Sequence, residues 1–156
     1  MLKELIAHLG LAVCPSFYRD RQFVLALGGA AALWWLLWVT APGFFGRTPH
    51  QVGLLLSLIL WQPLLEELLF RGVIQGQMGM QSWGRIKHFG VSRANLLTSI
   101  LFALAHLIYH SPLWALAVVV PSLIFGHFRD RYASIYPSLA LHAYYNAGYF
   151  LIAVVR

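Results

Sequence analysis

Two adjacent acidic residues, Glu66 and Glu67, stand inside a long apolar stretch of a chain that has only five acidic residues. A charged side chain at bilayer depth costs about 2.5–3.5 kcal/mol on insertion scales, so such residues usually face a bundle interior and mark a functional site. Glu67 lies four residues before Arg71, a helical spacing that favours an ion pair. Glu66 lies about 140° from Arg71 around a helix and is left to face a cavity and bind water. The alternative is a Glu–Arg pair that only locks helices together.

Two other apolar stretches carry polar side chains on one helical face. His106 shares its face with Asn95, Ser99, Phe102 and His110, at spacings of three, four and seven residues. His142 and Asn146 are four residues apart, and both side chains can donate hydrogen bonds. Both patterns also have a purely structural interpretation. His106 could be a hydrogen-bonded core histidine, and His142 and Asn146 could make polar contacts between helices.

These residue types match the needs of amide hydrolysis. The reaction requires an activated water and a stabilised oxyanion. A carboxylate in a low-dielectric cavity is a competent general base. Two preorganised donors can stabilise the tetrahedral oxygen by about 3–4 kcal/mol each. Estimated depths place Glu66 and His142 near each other and leave His106 about 13 Å from His142, at about 1.5 Å per helical residue.

The elements that must position these residues are predicted to be membrane helices. The hydrophobic share of the 156 residues is 60% and the charged share is 10%, against about 25% charged residues in soluble domains. A lipid-embedded all-α bundle of about five transmembrane helices is expected, in one domain covering residues 1–156. The predicted helices cover residues 22–40, 51–77, 92–109, 112–128 and 137–155, with loops at 42–49, 78–91 and 129–136.

Two local features complete the predicted architecture. Residues 1–21 form an N-terminal segment whose helix, over residues 2–13, is too short and too charged to span and suits the membrane interface. Pro63 is expected to kink the second long helix and to free the carbonyl of Ile59. Cys14 is the only cysteine, which excludes an internal disulfide. It is interpreted as structural, although Leu11–Cys14 weakly resembles a lipoprotein cleavage site.

The net charge of +6 comes from residues in the connections between apolar stretches. This distribution argues against a nucleic-acid-binding patch and is typical of membrane-protein loops. Eight basic residues fall on one predicted side and two, Arg47 and Arg156, on the other. The eight are Lys3, Arg19, Arg21, Arg85, Lys87, Arg93, Arg129 and Arg131. The positive-inside rule therefore predicts a cytoplasmic N-terminus and an external C-terminus.

Three motifs, in order and each on a predicted membrane helix, resemble those of the CPBP family of intramembrane proteases. Glu66–Gly72 resembles its EExxxR motif, Ser99–His106 its FxxxH motif and His142–Asn146 its HxxxN motif. The family includes type II CAAX prenyl endopeptidases and bacteriocin-processing and self-immunity proteins. The resemblance covers about residues 55–150 and implies an all-helical membrane fold that hydrolyses a peptide bond.

Residue roles follow from the same resemblance. It implies that Glu66 activates a water that His106 shares, that His142 and Asn146 stabilise the oxyanion, and that Glu67 and Arg71 support them. Because the chain is short for the family, the expected substrate is a protein whose apolar C-terminal tail lies in the membrane, as in bacterial C-terminal sorting signals, and not a prenylated protein. The bacterial inner membrane is the expected location, and no cofactor is expected.

Three other hypotheses remain open. Two histidines and a glutamate could bind zinc, although the chain has no HExxH pair and Asn146 is a poor zinc ligand. A non-enzymatic immunity or peptide-binding protein would keep the fold and tolerate Glu66→Gln. A proton-coupled transporter would use the same buried ionisable groups, but no inverted repeat is visible.

Overall fold

The computed structural model describes residues 2–41 and 51–155. It is a bundle of α-helices, which confirms the predicted fold class. The helices are α1 (Leu2–His8), α2 (Arg21–Thr40), α3 (Val52–Met80), α4 (Arg93–His106), α5 (Pro112–Ala117), α6 (Val119–Tyr132) and α7 (Tyr136–Val155). Short 3₁₀ turns lie at Phe17–Arg19 and Trp83–Arg85, and a two-stranded ribbon pairs β1 (Lys87–His88) with β2 (Val91–Ser92). The predicted loop at 42–49, the side chain of Lys3, and both Arg47 and Arg156 lie outside the described residues.

Three helical segments of the described chain are long and apolar enough to cross a membrane: Arg21–Thr40, Val52–Met80 and Pro112–Tyr132. Large apolar side chains along them point outwards, including Leu25, Trp35, Leu60 and Leu113, which are each more than half exposed. Lipid accepts such an exterior, whereas water does not. The protein is therefore an integral membrane protein. The number of spans stays a prediction, because α4 has only 14 residues and α7 carries polar residues in its middle.

The long helix α3 contains two π-helical segments, Ser57–Trp61 and Leu68–Gln75. In the first segment the Gln62 N–H bonds to the Ser57 carbonyl, five residues back. If the same pairing over five residues continues, the Leu58 carbonyl should accept from the nitrogen of Pro63. That nitrogen carries no hydrogen. Pro63 therefore frees the carbonyl of Leu58 in this register, and not that of Ile59 as predicted, because the π-turn shifts the pairing by one residue.

Several helix ends differ from the sequence-based prediction. Ser92 is the N-cap of α4, at the predicted start of this helix, since its side chain accepts from the Asn95 N–H. However, α4 ends at His106, three residues before the predicted end. The predicted loop at 129–136 is mostly helical, because α6 runs to Tyr132 before Ala133 adopts a left-handed conformation. The break between α5 and α6 falls at Val118, four residues before Ser122. It is next to Ala117, whose carbonyl would accept a hydrogen bond from residue 121 in a continuous α-helix. Pro121 has no N–H to donate.

Helices α2, α6 and α7 pack together and form the core beside the candidate site. The buried cluster contains Phe23, Phe125, Phe128 and Leu141. Gly126 on α6 is needed for the close packing of α4 on α6, because a Cβ there would collide with the Asn95 side chain on α4. Asn95 uses the approach to donate to the Leu123 carbonyl at 3.0 Å. Helix α4, which carries His106, is thereby held against α6.

The N-terminal helix is shorter than predicted, and the segment after it packs across one end of the bundle. Helix α1 ends at His8, followed by Gly10 at a φ of 68°. The His8 carbonyl accepts a hydrogen bond from the Arg129 side chain. The Gly10 carbonyl accepts from the backbone N–H of Ile135, and the Ala12 carbonyl accepts from the Ser134 hydroxyl. These hydrogen bonds hold residues 8–12 against the end of α6 and the residues that follow it, in addition to any contact that α1 makes with the lipid interface.

The ribbon between α3 and α4 turns at Phe89 and Gly90, where the chain was predicted to be an irregular polar connection. Both residues have positive φ angles, 51° and 82°, as a two-residue hairpin turn of this hand requires. For a bulky residue the left-handed region costs about 1–2 kcal/mol. Phe89 is also fully exposed, so neither backbone preference nor core packing explains its presence.

Candidate functional site

The carboxylate of Glu67 and the guanidinium of Arg71 form a buried ion pair on α3. Glu67 Oε2 lies 3.4 Å from Arg71 Nε, and both side chains have 0% exposure. Arg71 Nη2 donates to the Ser122 hydroxyl at 3.0 Å and to the Ser122 carbonyl at 3.2 Å. Its guanidinium also lies over the rings of Phe102 and Phe125, at 4.7 and 5.6 Å. The contact inferred from the i, i+4 spacing is present in the structure.

The imidazole of His142 joins both glutamates. Its Nδ1 is 2.9 Å from Glu67 Oε1, and its Nε2 is 3.5 Å from Glu66 Oε2. The ring stacks on Phe125 at a centroid distance of 4.9 Å, with Phe102 edge-on at 5.9 Å. His142 is 5% exposed. These contacts fix the orientation of the ring between the two carboxylates.

The two glutamates differ in their access to solvent or substrate. The side chain of Glu66 is 20% exposed, whereas that of Glu67 is fully enclosed. Glu66 Oε1 accepts a hydrogen bond of 3.1 Å from Gln62 Nε2, one turn earlier on the same helix. Glu66 is therefore the carboxylate that another molecule can reach.

His106 lies beside this cluster, one aromatic ring away from His142. Its ring packs on Phe102 at 4.5 Å, and Phe102 in turn contacts His142. Its Nδ1 is 2.8 Å from the Phe102 carbonyl oxygen. A carbonyl only accepts, so Nδ1 carries a hydrogen and Nε2 is the acceptor of the neutral ring. Among the described residues, no hydrogen bond or ion pair joins His106 to Glu66.

Asn146 lies one turn after His142 on α7 and contacts α3. Its Nδ2 donates to the Leu58 carbonyl at 2.9 Å, the carbonyl that Pro63 leaves without its π-register donor. An amide nitrogen carries two hydrogens, so one remains uncommitted by this bond. The structure thus joins Glu66, Glu67, Arg71 and His142 by direct contacts and adds Asn146 through the backbone of α3.

Several residues of the site were missed from the sequence. Gln62 could have been found, because it lies four residues before Glu66 on an apolar helix. Ser122 and Phe125 carry no such signal, since their positions depend on how α6 packs against α3. No group of three His, Cys, Asp or Glu side chains in the described part of the chain is arranged as a metal site.

A partly accessible carboxylate, a second buried carboxylate and an imidazole between them form a cluster that can move protons within a membrane bundle. Together with the fold, the cluster defines the chain as a polytopic membrane protein with two carboxylates and an imidazole in contact inside its bundle.

Comparison with known families is more specific. The family model of the type II CAAX prenyl endopeptidases described as Rce1-like matches residues 48–148, which is more than half of the chain. The chain belongs to that family. The resemblance to the CPBP proteases is thereby confirmed, and with it the general activity of an intramembrane endopeptidase. No curated protein and no solved structure gave a significant match.

Proposed function

We propose that the protein is a glutamic-type intramembrane endopeptidase in which Glu66 is the general base. The observation that carries this proposal is the difference between the two carboxylates, since only Glu66 is accessible. Glu66 takes a proton from the attacking water and later returns it to the leaving amine. Its contact with Gln62 leaves Oε2, on the side of His142, for the water.

Glu67 and Arg71 act in support. Glu67, beside the Arg71 guanidinium, accepts a hydrogen from His142 Nδ1 and so sets the orientation of that ring. In the proposed mechanism His142 carries a hydrogen on both nitrogens, so that Nε2 can donate on the side of Glu66 and the reacting carbonyl. A donor held in advance at the developing negative charge is worth about 3–4 kcal/mol.

His106 and Asn146 complete the proposed site. His106 offers Nε2 as an acceptor for the water, because its Nδ1 is engaged by the Phe102 carbonyl. Asn146 offers its second amide hydrogen to the oxyanion while the first remains on the Leu58 carbonyl. The mechanism requires no metal ion, so we expect cleavage to survive chelation. Loss of activity in a chelator, with recovery on adding zinc, would replace this mechanism by a zinc-dependent one.

We propose a protein substrate with an apolar C-terminal segment, cleaved near the membrane. A site enclosed by apolar helices selects for a segment that is itself in the bilayer. We place the protein in the bacterial inner membrane with its N-terminus in the cytoplasm. A reporter with an exposed domain and an apolar C-terminal tail, co-expressed with the protein, would reveal the cut as a change in mass.

The mechanism is tested by comparing Glu66→Gln with Glu67→Gln in purified protein. Glu66→Gln keeps the shape and the Gln62 contact but removes the base, so turnover should fall by about 10²–10⁴ with little change in melting temperature. Glu67→Gln leaves Arg71 buried without its counter-charge, which destabilises by about 3–5 kcal/mol. It should lower both stability and rate.

Glu4→Gln is the matched control, because it removes a carboxylate that lies outside the cluster, on α1. Its cleavage rate should equal that of the wild type. Near-normal cleavage by Glu66→Gln, with a folded and inert Glu67→Gln, would reverse the two roles. Full cleavage by both variants would end the glutamate mechanism. A wild-type protein that binds the reporter without cleaving it would support the non-enzymatic immunity or peptide-binding alternative.

A further inference from the structure

A cavity separate from the glutamate cluster lies at the end of the bundle where α3, α6 and the N-terminal segment meet. Its volume is about 420 Å³. The lining includes His8, Gln75, Arg85, Lys87, Arg129 and Asp130. None of the residues that contact one another around Glu66 lines it, and Gln75 lies one turn beyond Arg71. The proposed endopeptidase mechanism makes no use of this cavity.

The charge of the cavity is positive. Three cationic side chains line it, and the only carboxylate in the lining, Asp130, is engaged by Gln75 Nε2 at 2.7 Å. Arg85 donates from Nε and Nη2 to the carbonyls of Gly79 and Met80 at the end of α3. A guanidinium has five N–H donors, so these bonds hold Arg85 in place and leave further donors. Lys87 on β1 is exposed. The cavity is thus preorganised for an anion such as a phosphate group.

An apolar groove of about 260 Å³ lies next to the cavity and is lined by residues of both strands of the ribbon. Its walls include Phe89, Val91, Leu96 and Leu123, and Ser92 lines both the groove and the cavity. The groove and the cavity together place an anion site beside an apolar channel at one end of a membrane bundle. This combination matches the two halves of a phospholipid.

Phe89 is an independent indication that the ribbon contacts something apolar. It is fully exposed at the turn, in a left-handed conformation that disfavours a bulky side chain. Trp83 and Ile86, just before the ribbon, are each more than two-fifths exposed. Aromatic residues combined with basic ones are typical of the membrane–water interface.

We propose that this end of the bundle binds an anionic phospholipid, with its phosphate in the cavity beside Arg85 and Lys87 and an acyl chain in the groove beside Phe89. Basic pockets between membrane helices are known to hold lipid head groups of this charge. The ligand is a lipid and not free phosphate, because an apolar groove that shares Ser92 with the cavity lies beside it.

The test uses the purified full chain in detergent and counts bound molecules by native mass spectrometry. Phosphatidylglycerol, phosphatidylcholine with the same acyl chains, and inorganic phosphate are titrated separately. The wild type should retain phosphatidylglycerol in preference to the other two. Arg85→Gln/Lys87→Gln should weaken that preference by about fivefold for each charge removed. Lys87→Gln alone preserves the contacts of Arg85 with α3. If the double variant misfolds, this single variant still tests the effect of removing one charge from the cavity.

Arg19→Gln/Arg21→Gln is the matched control, since it removes the same charge from residues that line neither the cavity nor the groove. It should bind phosphatidylglycerol like the wild type. Phe89→Asn, which suits the left-handed turn, should fold normally and bind the lipid more weakly. Equal loss in the control pair would show a diffuse charge effect and overturn the site. Equal binding of phosphatidylcholine, or binding of inorganic phosphate as tight as that of the lipid, would also overturn it.

Discussion

Arg71 shows at the level of a single residue how a membrane bundle accommodates a charge. Its side chain has no exposure, yet it is balanced by Glu67, hydrogen bonded to Ser122 and flanked by two aromatic faces. A guanidinium suits this setting better than an ammonium, because it is planar, weakly hydrated and able to bond in several directions at once.

Arg71→Lys should therefore destabilise the protein even though it keeps the charge. Lysine lacks the planar fork and would lose the paired contacts with Ser122 and the aromatic faces. Hydrogen bonds to charged groups contribute about 1.5–3 kcal/mol each, so a loss of that size in unfolding free energy is expected. Chemical denaturation in detergent measures it, with Arg93→Lys, at an exposed position, as the control. An Arg71→Lys protein as stable as the wild type would show that only the charge matters.

At the level of the element, helix α3 is shaped by its π-segments. Pro63 and the wide turn before it leave the Leu58 carbonyl to Asn146, so a backbone irregularity on α3 fixes a side chain on α7. In a membrane an unsatisfied carbonyl is costly, because water is absent. The helix defect and the asparagine should therefore be energetically coupled.

A double-mutant cycle tests this coupling. Asn146→Ala should destabilise by about 1–3 kcal/mol, because it leaves the Leu58 carbonyl without a donor. Pro63→Ala supplies a backbone N–H, so the same Asn146→Ala change should be less damaging in that background. Contacting groups show interaction energies of about 0.5–3 kcal/mol. Additive effects in the cycle would mean that Pro63 and Asn146 do not share this carbonyl.

Asp20 connects two elements, α2 and α6. It caps α2 by accepting from the Gln22 N–H at 2.7 Å, and it binds the Tyr132 hydroxyl at 2.6 Å and Arg131 Nε at 2.7 Å. The hydrogen bond from Tyr132, followed by those from Gln22 and Arg131, lowers the pKa of Asp20 from 3.8 to about 2. The ionised form is thus the one that holds the two helices together.

The stability provided by Asp20 should depend on pH in a defined direction. A lowered pKa in the folded state stabilises the protein above the unfolded pKa of 3.8, and the effect disappears as the pH falls through about 2. The difference in melting temperature between wild type and Asp20→Asn should have its maximum value above pH ~4 and should decrease as the pH falls towards ~2. Tyr132→Phe removes the bond that lowers this pKa most, so it should raise the lower end of that pH range and leave the upper end unchanged. A difference that stays constant down to pH ~2 would contradict the role of Asp20.

At the level of the whole molecule, several basic residues of the described chain lie near one another at one end of the bundle. Arg85, Lys87 and Arg129 line one cavity there, and Arg131 meets Asp20 at the start of α2. Arg129 is 8% exposed and bound to the carbonyls of Arg71 and His8, so it acts as a structural residue as well as a charge. The remaining charges still favour this end as the cytoplasmic one.

We expect an N-terminus in the cytoplasm and a C-terminus outside. Fusion of an alkaline phosphatase reporter to the C-terminus should give activity, because that enzyme is active only outside the cytoplasm. A green fluorescent reporter at the same position should be dark when exported. The reverse pattern would overturn the orientation.

The sequence by itself determined the fold class, the start of most helices and the pairing of Glu67 with Arg71. These depend on composition, helical period and N-cap chemistry, which are local properties. It also identified the family, because three spaced motifs on apolar helices form a strong pattern even when each is weak.

Only the tertiary structure decided which polar residues touch. The packing of α3, α4 and α7 decides three contacts. It places His142 between Glu66 and Glu67, puts Phe102 between His142 and His106, and brings Asn146 to the Leu58 carbonyl. The register of the π-segments was also beyond the sequence, because it shifts every later side chain around the helix. Small changes of register and packing move side chains by several ångströms, and a local pattern carries no information on them.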